Sequence, residues 1–277
     1  MNEEIIKLAQ KFDEYKSMNL SLNMKRGVPC KEQIDLSMDS FEVLTKNSNF
    51  LSASGVDCRS YGELTGIPEC KKLLSDTIEV PVDNIMIFGN SSLNVMFDIF
   101  SHAYIHGVLG NTPWSKYEKI KWLCPVPGYD RHFAICEYFG IEMINVPMND
   151  NGPDMDLVEK LVKSDSNIKG IWCVPKYSNP SGITYSDEVV KRFANLKPKA
   201  KDFRIFWDNA YSVHHLYEGN QDFLLEILAE CEKAGNPDLV YKFTSTSKIS
   251  FPGSGIAALA SSKANLKDIT HTLSIQT

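Results

Sequence analysis

The sequence predicts an α/β fold, a mostly parallel sheet covered by helices on both faces. Three observations carry that expectation. From residue 84 onward, short apolar runs alternate with stretches whose apolar residues recur at helical spacing. Each run reads as nearly continuously apolar, as strands buried on both faces require. Polar, turn-forming segments follow the runs, and in such sheets ligands bind beyond the carboxyl ends of the strands.

Residues 3–17 place Ile5, Ile6, Leu8, Ala9, Phe12 and Tyr15 near helical spacing, which predicts an amphipathic opening helix. From Asn19 to Ser40 the chain reads as an irregular arm, because Gly27 and Pro29 bar a long helix. Ile34–Leu36 reads as a short extended piece within it, and Phe41–Asn47 as a helix. Turn-rich Arg59–Gly62 and Gly66–Pro68 lead into a helix over 69–77. Strands are then predicted at 84–88, 119–124, 141–146, 168–174, 203–207 and 239–244, with a further apolar run at 256–260. Helices fall between them at 91–106, 129–139, 154–163, 186–196 and 222–233. Gly140 closes one as a C-cap, and Ser186 opens another with Asp187 and Glu188 in its first turn. Lys263 begins a last helix.

With 277 residues, 43% of them hydrophobic, the chain can bury one large core. The net charge of −6 is mild, and no basic run forms a nucleic-acid patch. Arginine is confined to Arg26, Arg59, Arg131, Arg192 and Arg204. The 7 cysteines are scattered without a C-x-x-C pair, which argues against zinc and for a reducing compartment. The charged N-terminus lacks a signal-peptide core, and no run reaches membrane-span length, so a cytoplasmic, soluble protein is expected.

Five strand ends carry the unusual residues: Gly89–Ser92, Pro125–Tyr129, Pro175–Pro180, Asp208–Tyr211 and Ser245–Lys248. Lys248, among small hydroxylated residues, has little apolar surface for its stem, and a lysine of lowered pKa forms Schiff bases with aldehydes. Asp208 ends an apolar strand, where a desolvated carboxylate needs a cation such as a protonated pyridine nitrogen; helix capping is the plainer role. Tyr211 and Asn179 can donate to a phenolate-type oxygen, and Tyr129 can face a flat ring. The Gly89-Asn90-Ser91-Ser92 turn at a helix start suits a phosphate, although Ser and Asn are also ordinary N-caps. Ser245 can add a hydroxyl to that anion.

In order along the chain, RGVPCKEQIDLS, RSYGELTGIPECKKLL, IFGNSSL, PVPGYDRH, SNPSG, DNAY and STSKISFPGSG span Arg26 to Gly255. The set resembles the fold type I, class I pyridoxal-phosphate aminotransferases, in the aspartate-aminotransferase branch related to MocR-type aminotransferase domains. The resemblance implies a three-layer αβα fold with a mostly parallel seven-stranded sheet and an N-terminal arm. It implies pyridoxal 5′-phosphate as cofactor, with Lys248 forming the internal aldimine and shuttling the substrate proton. It further implies Asp208 on the pyridine nitrogen, Tyr211 and Asn179 on the phenolate oxygen, Tyr129 on the ring, and Asn90, Ser91, Ser92 and Ser245 on the phosphate. Tyr61 matches the tyrosine that reaches a neighbouring subunit's phosphate, implying a homodimer with shared sites. Gly27 matches the arm glycine near the substrate carboxylate, where Asn179 also lies.

The family arginine that clamps the phosphate is missing from Phe251–Ile256, so hydroxyls and amides, Ser254 among them, must take its place. By the same resemblance, residues 1–48 are the N-terminal helix and arm of the small domain, 49–262 the large domain, and 263–277 the start of an interdomain helix. The C-terminal small domain with its carboxylate-gripping arginine is expected to be missing. The implied reaction is transamination between an aspartate- or glutamate-type amino acid and a 2-oxo acid, with no nucleic acid or membrane as partner. A lyase or decarboxylase of the same fold, or a sensor domain that binds the cofactor without turnover, are the alternatives.

Overall fold

The computed structural model describes residues 3–22 and 27–275. Helix α1 (Glu3–Ser17) follows its spacing, although none of its residues is buried. The arm departs from expectation. Residues placed in an extended piece lie instead at the end of a short helix, α2 (Lys31–Asp35), and the helix expected over 41–47 is a 3-10 turn, Met38–Glu42. Local bonds decide this: Cys30 N–H donates to the Gln33 side chain at 2.8 Å, and Lys31 pairs with Asp35 one turn on.

The regular alternation begins with α3 (Pro68–Ile78), β1 (Ile85–Phe88), α4 (Ser92–His106), β2 (Lys121–Val126) and α5 (Asp130–Tyr138). It continues with β3 (Glu142–Asn149), β4 (Gly152–Pro153), α6 (Met155–Ser164), β5 (Ile168–Cys173) and α7 (Asp187–Ala194). β6 (Arg204–Asp208), α8 (Ile227–Lys233), β7 (Val240–Ser245), β8 (Ala257–Ala260) and α9 (Lys263–Leu273) complete it. The helix expected from residue 222 starts at 227, because the Glu226 carboxylate accepts the amides of Leu228 and Ala229 and caps it there.

One sheet runs in the order β1-β8-β7-β6-β5-β2-β3-β4. It has eight strands, not seven. The extra one is β4, two residues folded back on the end of β3, with no apolar run to announce it. β3, β2, β5, β6 and β7 are mutually parallel, whereas β8 is antiparallel to both β7 and β1. Two reversals cancel, so β1 points the same way as β7 and ends on the same rim.

Alternation along each strand feeds two cores. Trp122, Trp172, Phe206, Phe243 and Leu259 face α4, α5 and α9, with Phe100 and Met96 packed among them. Ile171, Ile205, Trp207 and Val240 face the opposite way, onto Val158, Val190 and Phe193. Leu74 and Ile78 of α3 cover Ile85, Ala258 and Ala260 at the sheet edge. Among the described residues, no helix is long and apolar enough to cross a membrane, and no group of three His, Cys, Asp or Glu could hold a metal ion.

Candidate active site

The strand ends open into one cavity of about 250 Å³. Asn90, Ser91 and Ser92 enter it after β1, Asn179 after β5, Asp208 and Tyr211 from β6 and the turn beyond it, and Ser245 and Lys248 from β7 and its turn. Tyr129 lines it from the start of α5. The fold thus gathers nine of the predicted residues, from four strand ends and one helix start.

Lys248 is half-buried in a turn closed by two amides, those of Ile249 and Ser250, both donating to the Thr246 carbonyl. The base of the excursion is pinned by Thr246 N–H on the Ile256 carbonyl at 2.8 Å and Ile256 N–H on the Thr246 hydroxyl at 3.0 Å. The Lys248 amine donates to the Gly27 carbonyl at 2.9 Å, which brings the arm to the cavity.

Asp208 is 4% exposed. Its Oδ2 lies 3.1 Å from His132 Nε2, and the His132 ring stacks on Trp172 with centroids 4.7 Å apart. Its Oδ1 is buried without a hydrogen-bond partner. An acceptor left so costs about 1–3 kcal/mol, and a donor in the cavity would recover it. Asn179 Nδ2 donates to the Tyr211 hydroxyl at 3.4 Å. Burial raises the Tyr211 phenol above its ordinary value, with the Asp208 charge adding to the effect, so it is a hydrogen-bond donor at neutral pH. Tyr129 is raised by burial first and by Tyr211 and Asp208 after it.

At the start of α4 the side chains are partly committed. The Asn90 carboxamide accepts Gly255 N–H at 2.6 Å and donates to the Pro252 carbonyl at 3.2 Å, tying two turns together. Gly255 is required there, because a Cβ would stand 2.9 Å from both the Asn90 carbonyl oxygen and Thr246 Oγ1. Ser91 caps α4 by accepting Asn94 N–H at 3.3 Å. What remains for an anion is the other first-turn amides, which have no acceptor within the helix, and the Ser92 hydroxyl; the Ser245 hydroxyl donates to Ser247 at 3.2 Å and would have to turn from it.

Other residues stand apart. Tyr61 is 91% exposed and outside the cavity, and exposed Ser254 does not line it. Arg26 lies outside the described residues. Arg59 pairs with Asp57, Arg192 with Asp156 and Glu159, and buried Arg204 bonds Asn265 and the Phe203 carbonyl. Among the described residues, Lys248 is therefore the one cation lining the cavity. His132 and His214, which bonds the Lys248 carbonyl, received no role from the sequence. Their partners are 76 and 34 residues away, and only the motif order around Tyr129 and Tyr211 hinted at either.

The profile of the aspartate amino-transferase family matches residues 2–277. An aspartate aminotransferase of Corynebacterium glutamicum is 47% identical over 94% of this chain and 60% of its own length. A solved aspartate transaminase from the same species has a TM-score of 0.92 and 45% identity, covering 100% of this chain and 66% of that one. An α-aminoadipate aminotransferase of Thermus thermophilus, solved with N-(5′-phosphopyridoxyl)-L-leucine, shares the fold at 19% identity, with a TM-score of 0.67 over 91% of this chain and 59% of its own. The chain spans about 60% of the curated relative's length. Profile, relatives and fold agree: the chain belongs to the aspartate aminotransferase family.

Proposed function

We propose that the chain carries the cofactor site of a pyridoxal-phosphate-dependent aminotransferase, which moves an amino group from an aspartate- or glutamate-type donor to a 2-oxo acid. One observation carries the reading. The Lys248 amine and the carboxylate of Asp208, whose buried Oδ1 has no partner, approach a single cavity from two different strand ends.

The donor set fits the cofactor. Asp208 Oδ1 is an acceptor for a protonated pyridine nitrogen, and His132 steadies the carboxylate from its other oxygen. Tyr211 and Asn179 can donate to the phenolate oxygen, and Tyr129 offers an aromatic face to the ring. The amides at the start of α4, with Ser92 and Ser245, would take the phosphate; the helix dipole favours the anion in place of the absent arginine. When bound, the cofactor supplies an electron sink for charge developing at the substrate α-carbon.

The chain's own groups supply the rest. Lys248 Nζ would bond the cofactor aldehyde and, once released, move the proton off the substrate α-carbon. The Gly27 carbonyl gives that amine a resting acceptor. Buried Asp208 holds its charge at a fixed point, so no solvent reorganises around it as the reaction proceeds. A second copy of the chain would bring its own exposed Tyr61 to the phosphate, making a homodimer with shared sites.

Borohydride reduction in excess pyridoxal 5′-phosphate, followed by peptide mass mapping, tests the reading. The pyridoxyl adduct is expected on Lys248. An adduct on another lysine, or none, overturns the assignment.

A further inference from the structure

His214 approaches the site from behind the lysine. Its Nε2 lies 2.9 Å from the backbone carbonyl of Lys248. A carbonyl only accepts, so Nε2 is the nitrogen that carries the hydrogen in this bond. Nδ1 is buried without a partner. The bond to the Lys248 carbonyl is thus the hydrogen bond its ring makes among the described residues.

The ring also stands edge-on to Tyr211, with centroids 5.6 Å apart and planes at 85°. The main-chain N–H of His214 donates to the Tyr211 carbonyl at 3.1 Å, so the ring is carried on a closed turn after β6. The opposite end of the lysine is held by the Gly27 carbonyl on Nζ. Lys248 is thereby gripped at both ends, at its main chain by the β6 turn and at its amine by the arm.

We infer that His214 is a positioning residue for Lys248: its bond to the Lys248 carbonyl sets where the side chain leaves the turn, and hence where the amine reaches. The inference rests on the proposed role of Lys248. In that role the amine adds to the cofactor's aldehyde carbon, the aldehyde oxygen leaves as water, and borohydride delivers hydride to the resulting C=N bond.

His214→Gln keeps a side-chain N–H donor, while His214→Leu fills similar space without one. Two readouts separate the lysine from the pocket. One is the rate at which a borohydride-trappable adduct forms on Lys248 with pyridoxal 5′-phosphate. The other is the affinity for pyridoxamine 5′-phosphate, which has no aldehyde and needs no lysine. In His214→Leu the adduct should form about fivefold or more slowly, while pyridoxamine phosphate affinity stays within about twofold. His214→Gln should recover most of the rate. Equal adduct rates in all three proteins overturn the inference and leave the role of Lys248 standing. Parallel loss of both readouts in His214→Leu also overturns it, because the ring would then only shape the pocket. A wild-type adduct that maps away from Lys248 overturns inference and proposed function together.

Discussion

Asp208 shows how much one residue's chemistry depends on what its neighbours leave undone. Oδ2 is occupied by His132, and Oδ1 is buried and open to a donor. Asp208→Ala should slow the half-reaction with an amino acid by about a hundredfold or more, while the fold persists. Single-turnover rates, with circular dichroism as the fold control, check this; a wild-type rate would remove Asp208 from the mechanism. His132→Phe keeps a ring against Trp172 but loses the contact to Oδ2, and should cost less than Asp208→Ala in the same assay. That Asp208, Tyr211, Asn179 and Lys248 would meet at one cavity was legible in the sequence, because an acid, a phenol, an amide and an amine at strand ends are already chemically suggestive. His132 and His214 were not legible, since a histidine near a helix start or in a turn gains a role only from partners that the fold supplies. Asn90 was half legible: the turn was recognised, but not that its carboxamide is spent on Gly255 and Pro252.

Within the β7 unit two lysines lie six positions apart and do opposite work. Lys242 is buried and donates to the Ile78 carbonyl at 2.7 Å and to Glu226 at 2.8 Å, joining α3, α8 and β7. Burial lowers its pKa, and Glu226 opposes that shift. Lys242→Ala would leave Glu226 without its cation and should cost about 3–5 kcal/mol. Lys248→Ala at the half-buried turn should change stability by about 0.5 kcal/mol or less. Urea midpoints of the two variants test the contrast, and equal losses would mean that Lys248 is structural. The strands β1, β2, β3, β5, β6 and β7 were readable because each is an apolar run bounded by turns. β4 and the late start of α8 were not: a two-residue strand folded back on the end of β3 forms no apolar run, and the apolar spacing around Glu226 does not show that its carboxylate caps the helix there.

At the scale of the whole molecule, burial also fixes the response to alkali. The Cys124 and Cys173 thiols are raised far above their ordinary value of 9.0, Cys124 first by its hydrogen bond to Cys136 and Cys173 by burial. Burial pushes the Cys231 thiol from 9.0 up to about 12, and it raises the Tyr185 and Tyr241 phenols above 10.0. Unfolded, each group releases its proton near its ordinary value; folded, it keeps it. Their contribution is therefore complete below pH 9.0 and is lost as pH rises towards the folded values, by about 1.4 kcal/mol per pH unit for each group. Urea midpoints should hold up to about pH 8 and fall steeply by about pH 10; a flat profile would contradict this burial. The reversed strand β8, second from the sheet edge, has a different consequence, one of timing. β1 pairs only with β8, so Ile85 waits for Ala260 before its edge is covered. During synthesis every parallel strand can be in place while β1 still lacks its partner. Only when β8 slots between β1 and β7 do the Asn90 turn and the Lys248 turn meet. Cofactor capture would then report that the chain has finished folding. A chain stopped at Ser250 should contain Lys248 and yet form no borohydride-trappable adduct on it.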